Sequence, residues 1–148
     1  MPPKRIQPEQ IADFLPHDGT VWLSLCSGET ALLRDGLAGR SLPDVTFTGI
    51  VVPGLNRLDD VLATGARVMT FFMTPQLARA EAQGDFRPLP YSQIQTLLAR
   101  TQVAAAIVTV APPDAHGICS FGNVTDFIAD LWPRIDTIIA HVNPRMPR

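Results

Sequence analysis

The sequence predicts an open α/β fold, a mostly parallel sheet with helices on both faces, formed as a single domain over residues 1–148. Three observations predict it. Apolar runs of strand length alternate with segments of helical spacing. One run, Val103–Val110 (VAAAIVTV), is nearly all apolar, as a parallel strand covered on both faces must be. Glycine, proline or asparagine stands at most of the changes from one pattern to the other.

Taken in order, Pro8–Leu15 reads as a short helix that Pro8 opens and Pro16 ends, and His17-Asp18-Gly19 as a turn. Thr20–Leu25 reads as the first strand. Cys26-Ser27-Gly28-Glu29 is a tight loop into a helix over Thr30–Ala38, with Ser27 as its N-cap and Glu29 in the first turn. Val45–Val52 is a second strand broken by Pro53-Gly54. Val68–Met73 is a third, with Phe71 and Phe72 directed to opposite faces. Pro75–Gln83 reads as a helix closed by Gly84, and Phe86–Leu89 as a short extended piece. Ser92 then caps a helix over Gln93–Arg100. Val103–Val110 is the central strand. A helix over Val124–Leu131 stops at Trp132-Pro133, and Thr137–Val142 is the last strand.

In an open parallel sheet, ligands bind beyond the carboxyl ends of the strands. That rule selects two loops, Cys26–Glu29 and Pro112–Gly122. In the second, Asp114 suits an acid or base or a plain Asx turn, and His116 suits a proton carrier near neutral pH. The amides around Gly117–Gly122 suit an anion at a helix N-terminus. Cys26 and Cys119 are candidate thiols, against the commoner reading of inert small apolar side chains. Glu9 and Glu81 fall on solvated helix faces. Glu29 alone among the glutamates is placed for chemistry, and there a positioning role is favoured over nucleophilic attack.

Composition removes several function classes. Hydrophobic residues make up 46% of the chain and charged residues 18%, which excludes an intrinsically disordered chain. A formal net charge of −2 gives no field for nucleic acid or for an anionic membrane surface. Two cysteines are too few for a disulfide scaffold or a thiolate metal cage, and a reducing, cytoplasmic setting is expected. The first residues lack the apolar stretch of a secretory signal, and no apolar run approaches the ~18 residues of a membrane span. His17, His116 and His141 lack ligand spacing, so no metal is expected. The phosphate-binding patterns GxGxxG and GxxxxGK[ST] do not occur.

Several longer motifs occur together and in order: WLSLCSGE, FTGIVVPGLNR, TFFMTPQLARA, PLPYSQI, APPDAHGICSFG and IIAHVNPRMPR. On these the chain resembles the amino-terminal half of the acetyl-CoA hydrolase/transferase family, which includes 4-hydroxybutyrate CoA-transferases. The resemblance implies one half of a class I CoA-transferase fold. In that family a glutamate from the carboxyl-terminal half attacks an acyl-CoA thioester, giving an acyl-glutamyl anhydride and then a glutamyl-CoA thioester. CoA passes to an acceptor carboxylate, or water intercepts the acyl group. Coenzyme A is then a substrate, with no tightly bound cofactor expected.

The resemblance further implies that Cys26, Ser27, Gly28 and Glu29, with Asp114, His116, Gly117, Cys119 and Ser120, line the acyl or carboxylate side of the cleft. None of them is the nucleophile. Family members continue past the point matching Arg148 into the half that carries the glutamate, so the active site is expected to be incomplete and the lone chain inactive. Expected partners are an acyl-CoA, a small carboxylate, and either a complementary carboxyl-terminal half or a second copy of the chain. Trp132-Pro133 interrupts a helix expected to be continuous. Two other readings stand beside this one: a non-catalytic module that binds a small carboxylate or acyl group, and an independent hydrolase using Glu29, Asp114 or His116.

Overall fold

The computed structural model describes residues 3–148. Six strands form one sheet: β1 (Gly19–Leu23), β2 (Val45–Thr48), β3 (Arg67–Thr70), β4 (Gly84–Phe86), β5 (Val103–Val110) and β6 (Thr137–Val142). Their order is β4-β3-β2-β1-β5-β6, and every neighbouring pair is parallel. The helices are α1 (Leu33–Leu37), α2 (Asp59–Leu62), α3 (Pro75–Arg79), α4 (Tyr91–Arg100) and α5 (Ile128–Leu131). Three 3-10 segments, Pro8–Phe14, Cys26–Gly28 and Trp132–Arg134, complete the chain.

Alternation along the strands divides the core into two layers. Val21, Leu23, Phe47, Val68 and Ile107 lie on one face with Ile11, Leu33 and Val61. Trp22, Met69, Ala106 and Val108 lie on the other, packed with Ile94 and Leu98 of α4 and Ile128 and Leu131 of α5. Burial on both faces is why β5 carries no polar alternation, and the structure gives it the span expected from sequence. β6 also matches its expected span.

The other expected boundaries move, each for a local reason. β2 stops at Thr48 because Gly49 carries the chain against the Leu23 carbonyl, where a Cβ would not fit. β3 stops at Thr70, whose hydroxyl donates to the Phe72 carbonyl (2.8 Å) and accepts from the Phe72 amide (3.3 Å), turning the chain. Phe71 is consequently buried, whereas Phe72 is 37% exposed and packs on no opposite layer. The helix expected over Thr30–Ala38 contracts to α1, because Cys26–Gly28 turns as a 3-10 segment and the Thr30 hydroxyl accepts from the Leu32 amide (3.2 Å).

Ser27 is therefore not an N-cap and Glu29 is not in a helix's first turn; both belong to the loop. Thr74 caps α3, its hydroxyl accepting from the Leu77 amide at 3.3 Å, and Gly84 opens β4 instead of closing that helix. The extended piece expected over Phe86–Leu89 lies earlier, as β4. Ser92 lies inside α4, which begins one residue before it at Tyr91 with Pro90 at the N-cap position. The helix expected from Val124 begins only at Ile128. Asp126 holds that turn by accepting from the Ile128 amide (3.2 Å), and Pro133 sits in the 3-10 turn that follows.

Candidate functional site: the crevice between the first and fifth strands

The chain runs from β1 outward to β4 on one side, then returns to place β5 and β6 on the other. The switch point therefore falls between β1 and β5, and ligands of open parallel sheets bind in the crevice outside the strand ends at such a point. The geometry there is organised by a residue far away in sequence. Asn56 is buried, and all its polar atoms are engaged. Its Oδ1 accepts from the amides of Cys26 (3.1 Å) and Val52 (2.8 Å). Its Nδ2 donates to the Cys26 carbonyl (2.8 Å) and to Glu29 Oε2 (3.1 Å).

This clamp accounts for an unusual backbone. Cys26 has φ of 51°, the one non-glycine residue with positive φ among those described. Asn56 holds both its peptide N–H and its C=O, and the Cys26 Sγ donates to the Ile50 carbonyl at 3.2 Å. Strained residues at strand ends are markers of ligand sites. Burial pushes the Cys26 thiol up, and the nearby Asp126 carboxylate adds to that, so the group stays a protonated thiol.

The other loop residues are fixed in turn. Glu29 accepts at both oxygens, from Asn56 and from the Arg57 amide (3.1 Å). The Gly28 carbonyl accepts from the buried Thr109 hydroxyl at 2.8 Å. A Cβ on Gly28 would stand 3.1 Å from Val124 Cβ, so glycine lets the two loops close on each other. Asn123 Nδ2 donates to the Ser27 hydroxyl at 3.4 Å.

Asp126 lies beside this group, its Oδ1 on the Ile128 amide and its Oδ2 buried without a partner. Burial pushes its carboxyl pKa up. The native state then holds its proton to higher pH than the unfolded chain does, so stability falls as pH rises from about 3.9 through the raised native value. Asp126→Asn is expected to raise the melting temperature near neutral pH and to leave it unchanged below about pH 3.5. An equal effect at both pH values, in parallel thermal melts, would contradict this.

The second loop selected from sequence is arranged differently. Asp114 turns inward on its own segment: its Oδ1 accepts from the amides of Ile118 (2.9 Å) and His116 (2.8 Å). Those bonds hold its carboxyl below the usual range, with a smaller contribution from Arg148, whose Nη1 lies 3.8 Å from Oδ2. Ser120 closes the loop, its carbonyl on the Ala111 amide (2.8 Å) and its hydroxyl on the Gly122 amide (3.0 Å). His116, Gly117 and Cys119 are exposed. Hydrogen bonds between the two loops run from Asn123, and Val124 supplies the packing; none comes from Asp114–Ser120 among the described residues.

Four residues that shape the crevice carried no mark in the sequence reading: Asn56, Thr109, Asn123 and Asp126. Asn56 acts across a separation of 30 residues, which no local pattern encodes. Asp126 did carry a signal, an acidic residue two before the apolar start of a helix. His141, read as a strand residue, lies in β6 with Nδ1 at 2.8 Å from the Thr30 hydroxyl, and burial lowers its pKa. No group of metal-ligating side chains, and no helix long and apolar enough to cross a membrane, occurs among the described residues.

The sheet is all-parallel, and a hydrogen-bonded cluster of polar loop residues stands at its switch point, the place where open sheets of this kind bind ligands. Comparison with known proteins narrows the class. No family model matches the chain. It is 35% identical over 141 residues to a succinyl-CoA:acetate/propanoyl-CoA:succinate CoA transferase of Fasciola hepatica, a match spanning 92% of this chain and 28% of that protein. It is 32% identical over 68 residues to a 4-hydroxybutyrate coenzyme A transferase of Clostridium kluyveri, spanning 45% of this chain and 16% of that protein. RipA from Yersinia pestis superposes with a TM-score of 0.81 at 21% identity, over 97% of this chain and 37% of that one. A 4-hydroxybutyrate CoA-transferase from Porphyromonas gingivalis superposes with a TM-score of 0.65 at 17% identity, over 95% of this chain and 33% of that one.

Over 92% of its length the chain is similar to a CoA transferase, and it spans less than a third of the length of the curated relatives it matches.

Proposed function

We propose that this chain supplies one wall of a cleft that handles acyl-CoA thioesters and small carboxylates, and that the attacking glutamate comes from a part of the fold outside its 148 residues. The observation that carries the reading is the state of the carboxylate in the Cys26–Glu29 loop. Glu29 accepts hydrogen bonds at both oxygens and is fixed by Asn56 and the Arg57 amide, so it acts as a structural acceptor and not as a free nucleophile. Asp114 is likewise spent on its own loop, and the Cys26 thiol is held protonated. An independent hydrolase built on Glu29 or Asp114 is correspondingly disfavoured.

What the wall contributes is position. Backbone and side-chain dipoles fixed before the reaction cost no reorganisation when charge develops on a thioester oxygen. Cys26, Ser27, Gly28 and Glu29 supply the acyl side of the crevice. Asp114, His116, Gly117, Cys119 and Ser120 form its outer rim, where exposed groups meet a carboxylate. Coenzyme A is a substrate, and either a second copy or a complementary part of the fold completes the assembly. The test is to titrate isotope-labelled chain with acetyl-CoA and propionate, following amide shifts and thioester exchange together. Shifts at the crevice with no exchange are expected. Robust exchange by the lone chain would overturn the assignment of the nucleophile.

A further inference from the structure

The chain that leaves β6 does not run clear of the sheet. Asn143 donates its amide to the Val110 carbonyl at 2.9 Å, at the end of β5. Its own carbonyl accepts from the Met146 amide (3.0 Å) and its Oδ1 from the Arg145 amide (2.9 Å), so Asn143-Pro144-Arg145-Met146 closes a tight turn. The residue types suit it, since asparagine is favoured at the first position of such a turn and proline at the second. Pro144 and Pro147 each fix a φ angle, which makes the returning segment stiff.

That segment lies across the Pro112–Gly122 loop and touches both of its ends. At one end, a Cβ on Gly122 would fall on the Met146 side chain and stand 3.0 Å from the Pro147 carbonyl oxygen, and Gly122 has φ of 67°. Glycine there admits the backbone turn and the close approach together. At the other end, the Arg148 guanidinium donates to the Pro112 carbonyl at 2.7 Å and has a nitrogen 3.8 Å from the Asp114 carboxylate. The loop has little other anchorage. The bonds of Ala111, Asp114, Ser120 and Gly122 close within residues 111–122. Phe121 packs on the core, whereas His116 through Cys119 are exposed. Among the described residues, Arg148 supplies the one hydrogen bond that ties Pro112–Ser120 to a residue outside 111–122.

We propose that Asn143–Arg148 is a strap that positions the Pro112–Gly122 loop, with Met146 and Arg148 as its positioning residues. The strap is anchored to β5 through Asn143 and reaches the loop through side chains on a stiff backbone. The direction in which the chain leaves β6 therefore sets where the loop stands beside Cys26–Glu29. A shift of that chain is passed to His116, Gly117 and Cys119 with no change in the sheet. The consequence for chemistry rests on the proposed function, in which those residues meet a carboxylate: the strap then governs the distance between the rim and the acyl side. Loop position is measured without a ligand, so a failure here leaves that reading untouched.

The experiment is amide hydrogen exchange on the full chain and on variants of the strap. Met146→Ala and Arg148→Ala together are expected to speed exchange about tenfold or more at the Ala111, Ile118 and Gly122 amides, whose partners Ser120 and Asp114 lie in the loop. Exchange at the Cys26 and Val52 amides, which Asn56 holds, stays as in wild type and separates loss of loop position from general loosening. Met146→Ala alone gives part of the rise. Met146→Leu keeps an apolar side chain of similar volume against Gly122 and gives none. Arg148 is exposed and Met146 half-buried, and circular dichroism confirms that each variant is folded. Unchanged exchange at the three loop amides in the double variant overturns the proposal. So does a rise shared equally by Cys26 and Val52, or a Met146→Leu chain that exchanges as fast as Met146→Ala.

Discussion

Gly49→Ala is expected to cost about 3 kcal/mol or more, or to prevent folding altogether. Gly49 follows β2 and lies against β1, and a Cβ there would fall on the Leu23 carbonyl oxygen, with Leu25 Cδ1 also 3.2 Å away. The obstacle is backbone in the middle of the sheet and has no rotamer in which to escape. Relief requires β1 and β2 to separate where Trp22 pairs with Thr48, and that would open the core on both faces. Its φ is not in the left-handed region, so lack of space is the whole cause. Gly84→Ala is a fair control, since its Cβ would meet only ordinary contacts at 3.8–3.9 Å. Urea unfolding of both variants measures the difference; a Gly49→Ala chain as stable as wild type would contradict the packing described.

The second large effect concerns Asn56. Asn56→Ala removes four hydrogen bonds at a buried position and leaves the Cys26 peptide groups and one Glu29 oxygen without their partner. The expected loss is about 3 kcal/mol. Cys26 then loses the clamp that holds it at positive φ, so its thiol should react faster with a small disulfide reagent than in wild type. Asn56→Asp is a sharper test. It keeps the two acceptor bonds but turns an oxygen toward the Cys26 carbonyl and the Glu29 carboxylate, so it should be at least as harmful near neutral pH and partly recover in acid. Unchanged thiol reactivity in Asn56→Ala would show that the loop holds its shape without the clamp.

These two positions also show why the sequence was legible in some places and not in others. β5 and β6 could be read to their ends because burial on both faces, or strict strand length between turns, is written in consecutive residues. Element lengths were overestimated where a hydroxyl or a carboxylate turned the chain locally, as Thr30 and Asp126 do at helices and Thr70 at a strand. Those side chains compete with the backbone for its own hydrogen bonds, and periodicity does not register the contest. The loop Cys26–Glu29 was found from topology alone, since any ligand in such a sheet sits past the strand ends. Its internal order depends on Asn56, which only folding brings near. Asp114 shows the reverse case: its Asx turn was one of the two readings open from sequence, and it is the arrangement the structure contains.

The central claim is tested most directly by where a short acyl-CoA perturbs the chain. With acetyl-CoA added, backbone amide shifts should concentrate at Cys26–Glu29, Val52–Arg57, Thr109 and Asn123–Asp126, with smaller changes along Asp114–Ser120 and none at β4. Shifts confined to another surface, or none at millimolar ligand, would contradict the crevice as the acyl side of a CoA-transferase cleft.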